Sequence, residues 1–424
     1  MEVNSIKHFD LPLYTEVLEN GLTVNLIPKL NVSNVYATFS TFYGSFYNDF
    51  KPLNSDEYYH APLGVAHFLE HKVFEQEDGE DPFSFYTKYG ADANASTSYQ
   101  KTTYLFSGTG HLEENLNYLL DFVQSPHFTD ENVEKEKGII EQEIKMYDDI
   151  PYWKLYDRTL NNSFHTHPLK YPIAGTVDTI RKISKDDLYV CYNTFYHPSN
   201  MFLTIVGNFE PESVIKTIKE NQKNKKYPKS SEIEIQSYDE SDKVVVNNDT
   251  IIFDVEIPKV AIAYKINVQQ FDINRLKYYL NTFFELKLGV TSELNEKLKE
   301  EGLISSSIDV DVLHTDKHIL VVLLFESKDY QKVIDEIALV LKDKIVLEND
   351  LNRKKKVMKS SCVFRSDSIY SIASKVNSNL INYRKVILDE YSMIDSLNIE
   401  EFNLILDSIS LNNKTITVLK RDNY

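Results

Sequence analysis

Residues 63–75 read LGVAHFLEHKVFE, and their apolar side chains recur at helical spacing. His67 and His71 are four residues apart, so in a helix they lie one above the other and both imidazoles can reach one metal ion. Imidazole suits Zn²⁺, and Glu70, which is close to His67 on the same helix, can take a proton from water at the metal. This run therefore predicts a catalytic metal-binding helix. The alternative is an ordinary helix with solvated histidines and a solvated glutamate.

A catalytic zinc ion generally has three protein ligands and an open position, so the set must be completed from elsewhere in the chain. The predicted helix 130–148 contains several glutamates, of which Glu136 and Glu143 are seven residues apart and lie on one face. A metal ligand together with a carboxylate that steadies a histidine would explain this pair. The alternative is a solvated acidic stripe that pairs with Lys135 and Lys137.

Length, charge and cysteine content restrict the class of protein. The 424 residues are enough for about two to four domains. The 46 basic and 64 acidic side chains give a formal net charge of −18, which argues against a general binder of nucleic acid or anionic membranes. Two cysteines are too few for a disulfide scaffold, and neither a signal peptide nor an apolar run of about 18 residues is visible. We therefore expect a cytoplasmic protein without a nucleic-acid or membrane partner.

The order of predicted elements is similar in the two halves of the chain. In the first half we expect strands at 22–28, 35–43, 95–106 and 201–206, and helices at 63–75, 111–124, 130–148 and 184–195. Residues 219–250 are polar and charge-rich, which is typical of a linker. After them we expect strands at 260–266, 318–325 and 415–419, and helical segments at 272–301, 328–346 and 349–385. This layout predicts two α+β halves related by duplication; the alternative is two unrelated α+β domains.

The motif H-x-x-E-H is the signature of the inverted zincins. The run GVAHFLEHKVFE, followed about seventy residues later by EKEKGIIEQEIKMYDDIP, resembles the pitrilysin/insulinase metallopeptidase family, which includes the mitochondrial processing peptidase. Within that family the chain most resembles a small subgroup of about 430 residues that is found in Gram-positive bacteria. The resemblance covers most of the chain.

Several expectations follow from the resemblance. It implies a zinc-dependent endopeptidase that hydrolyses short or unfolded peptides and binds one Zn²⁺ per chain. It implies two halves, each a mostly antiparallel sheet packed by helices, in a clam-like arrangement that encloses the peptide. The implied division is a zinc-binding catalytic domain at 1–218, a linker at 219–250 and a non-catalytic peptidase-like domain at 251–424. The implied site residues are the metal ligands His67, His71 and Glu143, the general base Glu70, and Glu136 as the carboxylate behind a ligand.

The segment from Ala91 to Tyr99 resembles the family's edge strand, to which an extended peptide adds as an extra strand. Its small side chains let a substrate backbone come close, and the expected contacts are Asn94, Ala95, Ser96 and Thr97. The alternative is an ordinary edge strand that is protected from aggregation by Asp92 and Lys101.

The second half departs from the family pattern. An Arg and a Tyr that normally help to hold substrate are missing, and Lys299 is a weak substitute because it lacks the planar guanidinium. This departure favours a two-chain peptidase in which a paralogous partner without the zinc motif carries the Arg and Tyr. Two alternatives are a non-catalytic structural subunit and a module that binds peptides without cleaving them. A metal role for His165 and His167 is a weaker hypothesis, because Pro168 and the preceding polar residues suggest a loop.

Overall fold

The computed structural model describes residues 1–53, 55–230, 232–268 and 271–422. Within these ranges the strands are β1 (Glu2–Ile6), β2 (Leu11–Val17), β3 (Thr23–Pro28), β4 (Val35–Thr41), β5 (Asp49–Phe50), β6 (Tyr59–His60), β7 (Ala91–Thr97), β8 (Thr102–Gly108), β9 (Met201–Gly207), β10 (Asn248–Ile252), β11 (Lys259–Asn267), β12 (Asp309–His314), β13 (His318–Glu326) and β14 (Lys414–Lys420).

The α-helices in the same ranges are α1 (Val65–Val73), α2 (Pro82–Lys88), α3 (Leu112–Val123), α4 (Asp130–Asp148), α5 (Pro151–Ser163), α6 (Val177–Ile180), α7 (Lys185–Phe195), α8 (Pro211–Gln222), α9 (Ile273–Leu288), α10 (Glu293–Glu300), α11 (Tyr330–Lys342), α12 (Glu348–Ser366), α13 (Ile369–Tyr383), α14 (Glu390–Asp395) and α15 (Ile399–Ser408).

The strands form two large sheets and the small β5–β6 pair. The larger sheet has seven strands in the order β1-β2-β3-β9-β4-β8-β7, and the other has five in the order β10-β14-β11-β13-β12. All neighbours are antiparallel except β3 with β9 and β10 with β14. The prediction of an α+β protein whose two halves contain mostly antiparallel sheets is confirmed.

The two sheets repeat one topology. If β3, β4, β7, β8 and β9 are matched in chain order with β10 to β14, both sheets have the same strand order and the same single parallel pair. In each half the second helix after the hairpin has 19 residues: α4 follows β7, β8 and α3, and α12 follows β12, β13 and α11. This agreement supports the interpretation that the halves arose by duplication.

The chain forms two compact units. The first contains Met1–Ile144, Pro172–Ser237 and Lys359–Ser392, and the second contains Lys145–Tyr171, Tyr238–Met358 and Met393–Tyr424. These units differ from the contiguous division into 1–218, 219–250 and 251–424, because each sheet is covered on one face by a helix from the other half of the sequence.

In the first unit, one face of the seven-stranded sheet packs against α1, α3, α7 and α8. The other face packs against α13, whose apolar side chains join residues of β1, β3 and β9 in a second core. This core contains Ile6, Phe9, Ile27, Phe202, Val206, Ile369, Ile372, Ala373, Val376 and Leu380. In the second unit, α9, α11 and α15 contribute to the main core, while α5 packs on β11 and β14.

The predicted linker 219–250 contacts both units. Ile235 forms a bridge with Phe50 in the first unit. In the second unit the carboxylate of Glu240 accepts a hydrogen bond of 2.5 Å from Lys265 Nζ. Ser237 is the last residue of this segment in the first unit, and the second unit begins at Tyr238.

Three predicted elements were wrong in extent. The single strand 95–106 is a hairpin of β7 and β8, whose turn is closed by a 2.8 Å hydrogen bond from Ser98 N to Lys101 O. The helical segment 272–301 is interrupted after Leu288, and segment 349–385 is interrupted where Ser368 caps α13. In each case the chain turns or a new helix begins within a stretch whose pattern of polar and apolar residues continues without a break.

Candidate metal centre

A left-handed glycine starts the helix that carries the histidines. Gly64 is the N-cap of α1 with φ of 94°, and a Cβ at this position would lie 2.5 Å from the carbonyl oxygen of Ala174. A larger residue would therefore be strained and would also push the two segments apart. Val65, Phe68 and Leu69 bury one side of α1, which leaves the histidines and Glu70 half-buried on the other.

The glutamates of α4 separate into two groups. Glu134 pairs with Lys137 at 2.9 Å, and Glu141 forms a two-oxygen ion pair with Arg181. Glu136 and Glu143 instead face the histidines of α1.

The packing of α4 determines which of its glutamates face α1. Val133, Ile140 and Ile144 are buried in the first core and fix the orientation of the helix. For Glu136 and Glu143 the geometry does not support the alternative of a solvated stripe.

Three side chains meet in a geometry that fits a metal ion. The Nε2 atom of His67 lies 3.6 Å from Oε1 of Glu143, and Nε2 of His71 lies 3.4 Å from Oε2. One ligand atom from each of the three residues lies within 4.8 Å of the others, and this is the only such group of His, Cys, Asp and Glu in the described ranges. Two imidazoles and one carboxylate are a donor set typical of catalytic zinc, so the residues fit the ion.

The Nδ1 atoms of the two histidines, which point away from Glu143, differ in their hydrogen bonding. Nδ1 of His71 donates to Oε1 of Glu136 at 3.0 Å. Nδ1 of His67 is buried and has no hydrogen-bond partner among the described residues. Burial alone would lower the pKa of His71, but hydrogen bonds with Glu136 and Glu143 raise that pKa to about 9. The hydrogen bonds from His67 and His71 hold the pKa of the Glu143 carboxyl far below its usual range. The pocket therefore favours positive charge between the two carboxylates.

Glu70 is held from the edge strand. The hydroxyl of Thr97, the last residue of β7, donates a hydrogen bond of 2.6 Å to Oε2 of Glu70. Within the described ranges no other hydrogen bond reaches this carboxylate, which leaves Oε1 open. Thr97 was expected only as a substrate contact, and the structure adds this contact with the predicted base.

The other predicted substrate residues line an open sheet edge. β7 is the last strand of the seven-stranded sheet and pairs with β8 alone in the described structure. Asn94 and Ser96 are exposed, whereas Ala95 is half-buried and packs against the first core. The backbone N–H of Ala95 donates to the side-chain Oδ1 of Asn94 at 2.8 Å. A local side chain thus occupies one backbone donor of this strand.

The segment around His165 and His167 is a loop, as the sequence predicts, but it holds a carboxylate. The backbone N–H groups of His165, Thr166 and His167 donate to Glu240 at 3.0, 2.7 and 2.9 Å. Burial lowers the pKa of His167 to about 4. This arrangement explains the loop without a metal ion, because the three amides converge on an anion.

Lys299 is on α10 and donates to Ser307 Oγ at 3.0 Å. This contact is within the second unit, and it gives the side chain a local role.

Sequence reasoning missed Lys72, which follows His71 directly. Its side chain is 1% exposed, and its Nζ lies 3.7 Å from Oε2 of Glu136. The signal was present, since Val65, Phe68, Leu69 and Lys72 follow the i, i+3, i+4, i+7 pattern of a buried helix face. A lysine on such a face needs a carboxylate partner nearby.

Two family profiles match the chain. Insulinase (Peptidase family M16) matches residues 58–177, which include the candidate metal centre, and Peptidase M16 inactive domain matches residues 182–358. The chain belongs to peptidase family M16. The resemblance read from the H-x-x-E-H motif is thereby confirmed.

Similar proteins agree with this membership. This M16 chain is 46% identical over 303 residues to the uncharacterized zinc protease YmfH of Bacillus subtilis, a match that covers 70% of each chain. It is 29% identical over 157 residues to the mitochondrial-processing peptidase subunit beta of Caenorhabditis elegans, which is 36% of this chain and 34% of that one. The solved structure of an M16-like peptidase from Alicyclobacillus acidocaldarius has 30% identity and a TM-score of 0.91, and covers 96% of this chain and 98% of that one.

Across the part of the M16 chain that the structure describes, no helix combines the length and apolar character needed to span a membrane.

Proposed function

We propose that this M16 chain is a zinc-dependent endopeptidase that binds one Zn²⁺ through His67, His71 and Glu143. The observation that carries the proposal is the convergence of these three side chains within 4.8 Å, on the helix pair that also presents Glu70. Zinc, when bound, supplies Lewis-acid chemistry that activates water and polarises a peptide carbonyl.

Glu70 is the proposed general base and acid. Thr97 fixes its Oε2, so Oε1 is the atom that receives the proton from water and later delivers it to the leaving amine. A carboxylate that is held by one hydrogen bond keeps a defined orientation while its second oxygen stays free to react. Glu136 orients His71 through Nδ1 and does not touch the reacting atoms.

The proposed substrate is an extended peptide that adds to β7. An edge strand pairs only with an extended backbone, so short or unfolded peptides fit and folded proteins do not. The contacts are with Asn94, Ala95, Ser96 and Thr97. Without substrate, the N–H of Ala95 donates to Oδ1 of Asn94 at 2.8 Å. A carbonyl oxygen of the incoming peptide would replace Oδ1 as the acceptor for this N–H.

We further propose that the chain works with a paralogous peptidase-like subunit. Two observations support this: Lys299 bonds Ser307 where the family has a substrate-holding Arg, and residues 182–358 match an M16 inactive domain. One similar protein, the mitochondrial-processing peptidase subunit beta, is by its name one subunit of a larger enzyme. Assay of the chain alone and after addition of the partner tests this arrangement, and full activity of the isolated chain would overturn it.

The proposed activity is tested with Glu70→Gln. The amide keeps the size of the side chain and cannot take a proton, so we expect full zinc content and no hydrolysis of a mixed peptide library. Glu134→Gln is the matched control, because Glu134 is on α4 but pairs with Lys137 away from the centre. Zinc removal with a chelator should abolish cleavage and zinc addition should restore it. Turnover by Glu70→Gln near that of the wild type would contradict the assignment. A zinc-loaded wild type that cleaves no peptide even after the partner subunit is added would favour the peptide-binding or structural alternative.

A further inference from the structure

Lys72 is a buried cation inside the zinc motif. Its side chain is 1% exposed, and it lies on α1 between His71 and Val73. A buried ammonium group is costly unless charged and polar partners surround it, whereas a methionine of similar length would not carry that cost. The position therefore requires a reason for the positive charge.

The partners of Lys72 connect it to the metal centre. Its Nζ donates to the backbone carbonyl of Asn132 at 3.2 Å, pairs with Glu75 and lies 3.7 Å from Oε2 of Glu136. The other oxygen of Glu136, Oε1, accepts from His71 Nδ1 at 3.0 Å. One carboxylate is thus shared between a buried lysine and a predicted zinc ligand.

We propose that Lys72 is a positioning residue of the metal centre, which acts on His71 through Glu136. The inference rests on the proposed zinc binding by His67, His71 and Glu143. It adds a residue outside the set that the motif predicts and assigns a purpose to its buried charge.

The chemistry follows from the two oxygens of Glu136. An acceptor at Nδ1 keeps one His71 proton on that atom, so Nε2, which faces Glu143 at 3.4 Å, is the nitrogen that would give up its proton and bind zinc. Glu136 can serve only while its carboxylate stays in this rotamer. Lys72 attracts the second oxygen and, through Asn132 O, is itself fixed to the first turn of α4. The cation thus prevents the carboxylate from rotating toward solvent.

The test is a double-mutant cycle read by zinc affinity. We measure the Kd of purified full-length chain for Zn²⁺ by competition with a chromophoric chelator, for wild type, Lys72→Met, Glu136→Gln and the double variant. We expect Lys72→Met to weaken zinc binding ~10–100-fold, as loss of groups behind a ligand does. We expect the same change to have little effect in the Glu136→Gln background, because the path through Glu136 is already broken.

The control is Lys137→Met, which removes a lysine that pairs with Glu134 on α4 and should leave the Kd unchanged. Thermal unfolding of the metal-free proteins checks that each variant folds. If Lys72→Met does not fold, Lys72→Gln replaces it in the cycle, since the amide keeps a donor for Asn132 O without the charge.

Equal loss of affinity in both backgrounds would overturn the proposal, because a purely structural role of Lys72 does not depend on Glu136. A Kd for the lysine variant equal to that of the wild type would overturn it as well. If the wild type itself fails to bind zinc, the proposed function is wrong, and this inference is overturned with it.

Discussion

Thr97 Oγ1 donates a 2.6 Å hydrogen bond to Oε2 of Glu70, so the edge strand and the proposed base are directly connected. The strand to which a peptide would add ends at the group that would move protons for its cleavage. Substrate position and base orientation therefore depend on one residue.

Replacement of Thr97 by valine should lower kcat without loss of zinc. Valine keeps the shape of the side chain but cannot donate, and a hydrogen bond to a charged group contributes roughly 1.5–3 kcal/mol, which corresponds to about 10–100-fold in rate. Thr97→Ser retains the donor and should keep most of the activity. Peptide turnover and zinc content are measured for both variants; equal kcat for the valine variant and the wild type would show that Glu70 does not need this contact.

Alanine in place of His67, His71 or Glu143 should remove bound zinc. Each change deletes one of three ligands, so the affinity of the site should fall steeply. Metal content after dialysis, measured by mass spectrometry, checks this. His111→Ala is a suitable control, because that histidine is exposed beside Glu114 and outside the centre. Stoichiometric zinc in all three ligand variants would mean that the metal binds elsewhere.

Glu240→Gln should destabilise the protein in a pH-dependent way. Burial alone would raise the pKa of Glu240, but Lys265 and three backbone N–H groups lower it to about 2. A depressed carboxyl pKa contributes stability that is complete above the unfolded-state value near 4.5 and is lost as the pH falls from there to about 2. Breaking such a buried pair costs about 3 kcal/mol or more near neutral pH.

The urea midpoint of wild type and Glu240→Gln is compared at several pH values. The difference between them should be large at pH 7 and should shrink below about pH 4.5. Glu234→Gln is the control, since Glu234 forms an exposed ion pair with Lys51 and its loss should change the midpoint little. A pH-independent difference would indicate that packing around residue 240, rather than its charge, is responsible.

Cleavage should require an extended substrate. We expect a disulfide-stabilised globular protein to resist digestion in its native form and to be cut after reduction and alkylation, because only the unfolded backbone can pair with β7. Mass spectrometry of both digests under identical conditions makes the comparison. Equal rates for the two forms would contradict the edge-strand proposal.

The sequence was most informative where several of its features predict the same element. The helix 130–148 was predicted with the bounds that α4 has, since Thr129 caps it and the apolar residues recur at helical spacing. The convergence of α1 and α4 followed from zinc chemistry: two histidines on one helix need a third ligand, and the resemblance selected Glu143.

Other features depend on tertiary contacts that no local pattern reveals. The turn between β7 and β8 contains no glycine or proline, and it is stabilised partly from outside by Ser45 N, which donates to Ser98 O at 3.1 Å. The helix α5 was not predicted, and the helical segment 349–385, which contains α13, was predicted without the sheet that covers it. Thr97 was assigned to substrate because its sequence position identifies a strand, whereas the partner of its hydroxyl is set by how α1 packs beneath that strand.

The exchange of α5 and α13 between the two halves has a consequence for biosynthesis. As the nascent chain leaves the ribosome, β1 to β9 are complete long before residues 369–383 are made, so Ile6, Phe202 and Val206 lack the helix that buries them. The first sheet must therefore wait, with one apolar face uncovered, until almost the entire polypeptide has been translated. During that interval the exposed face is a binding site for chaperones and a risk for aggregation. A messenger truncated after α4 would thus yield a chain that has every proposed metal ligand but lacks β9 and α13, which belong to the same unit.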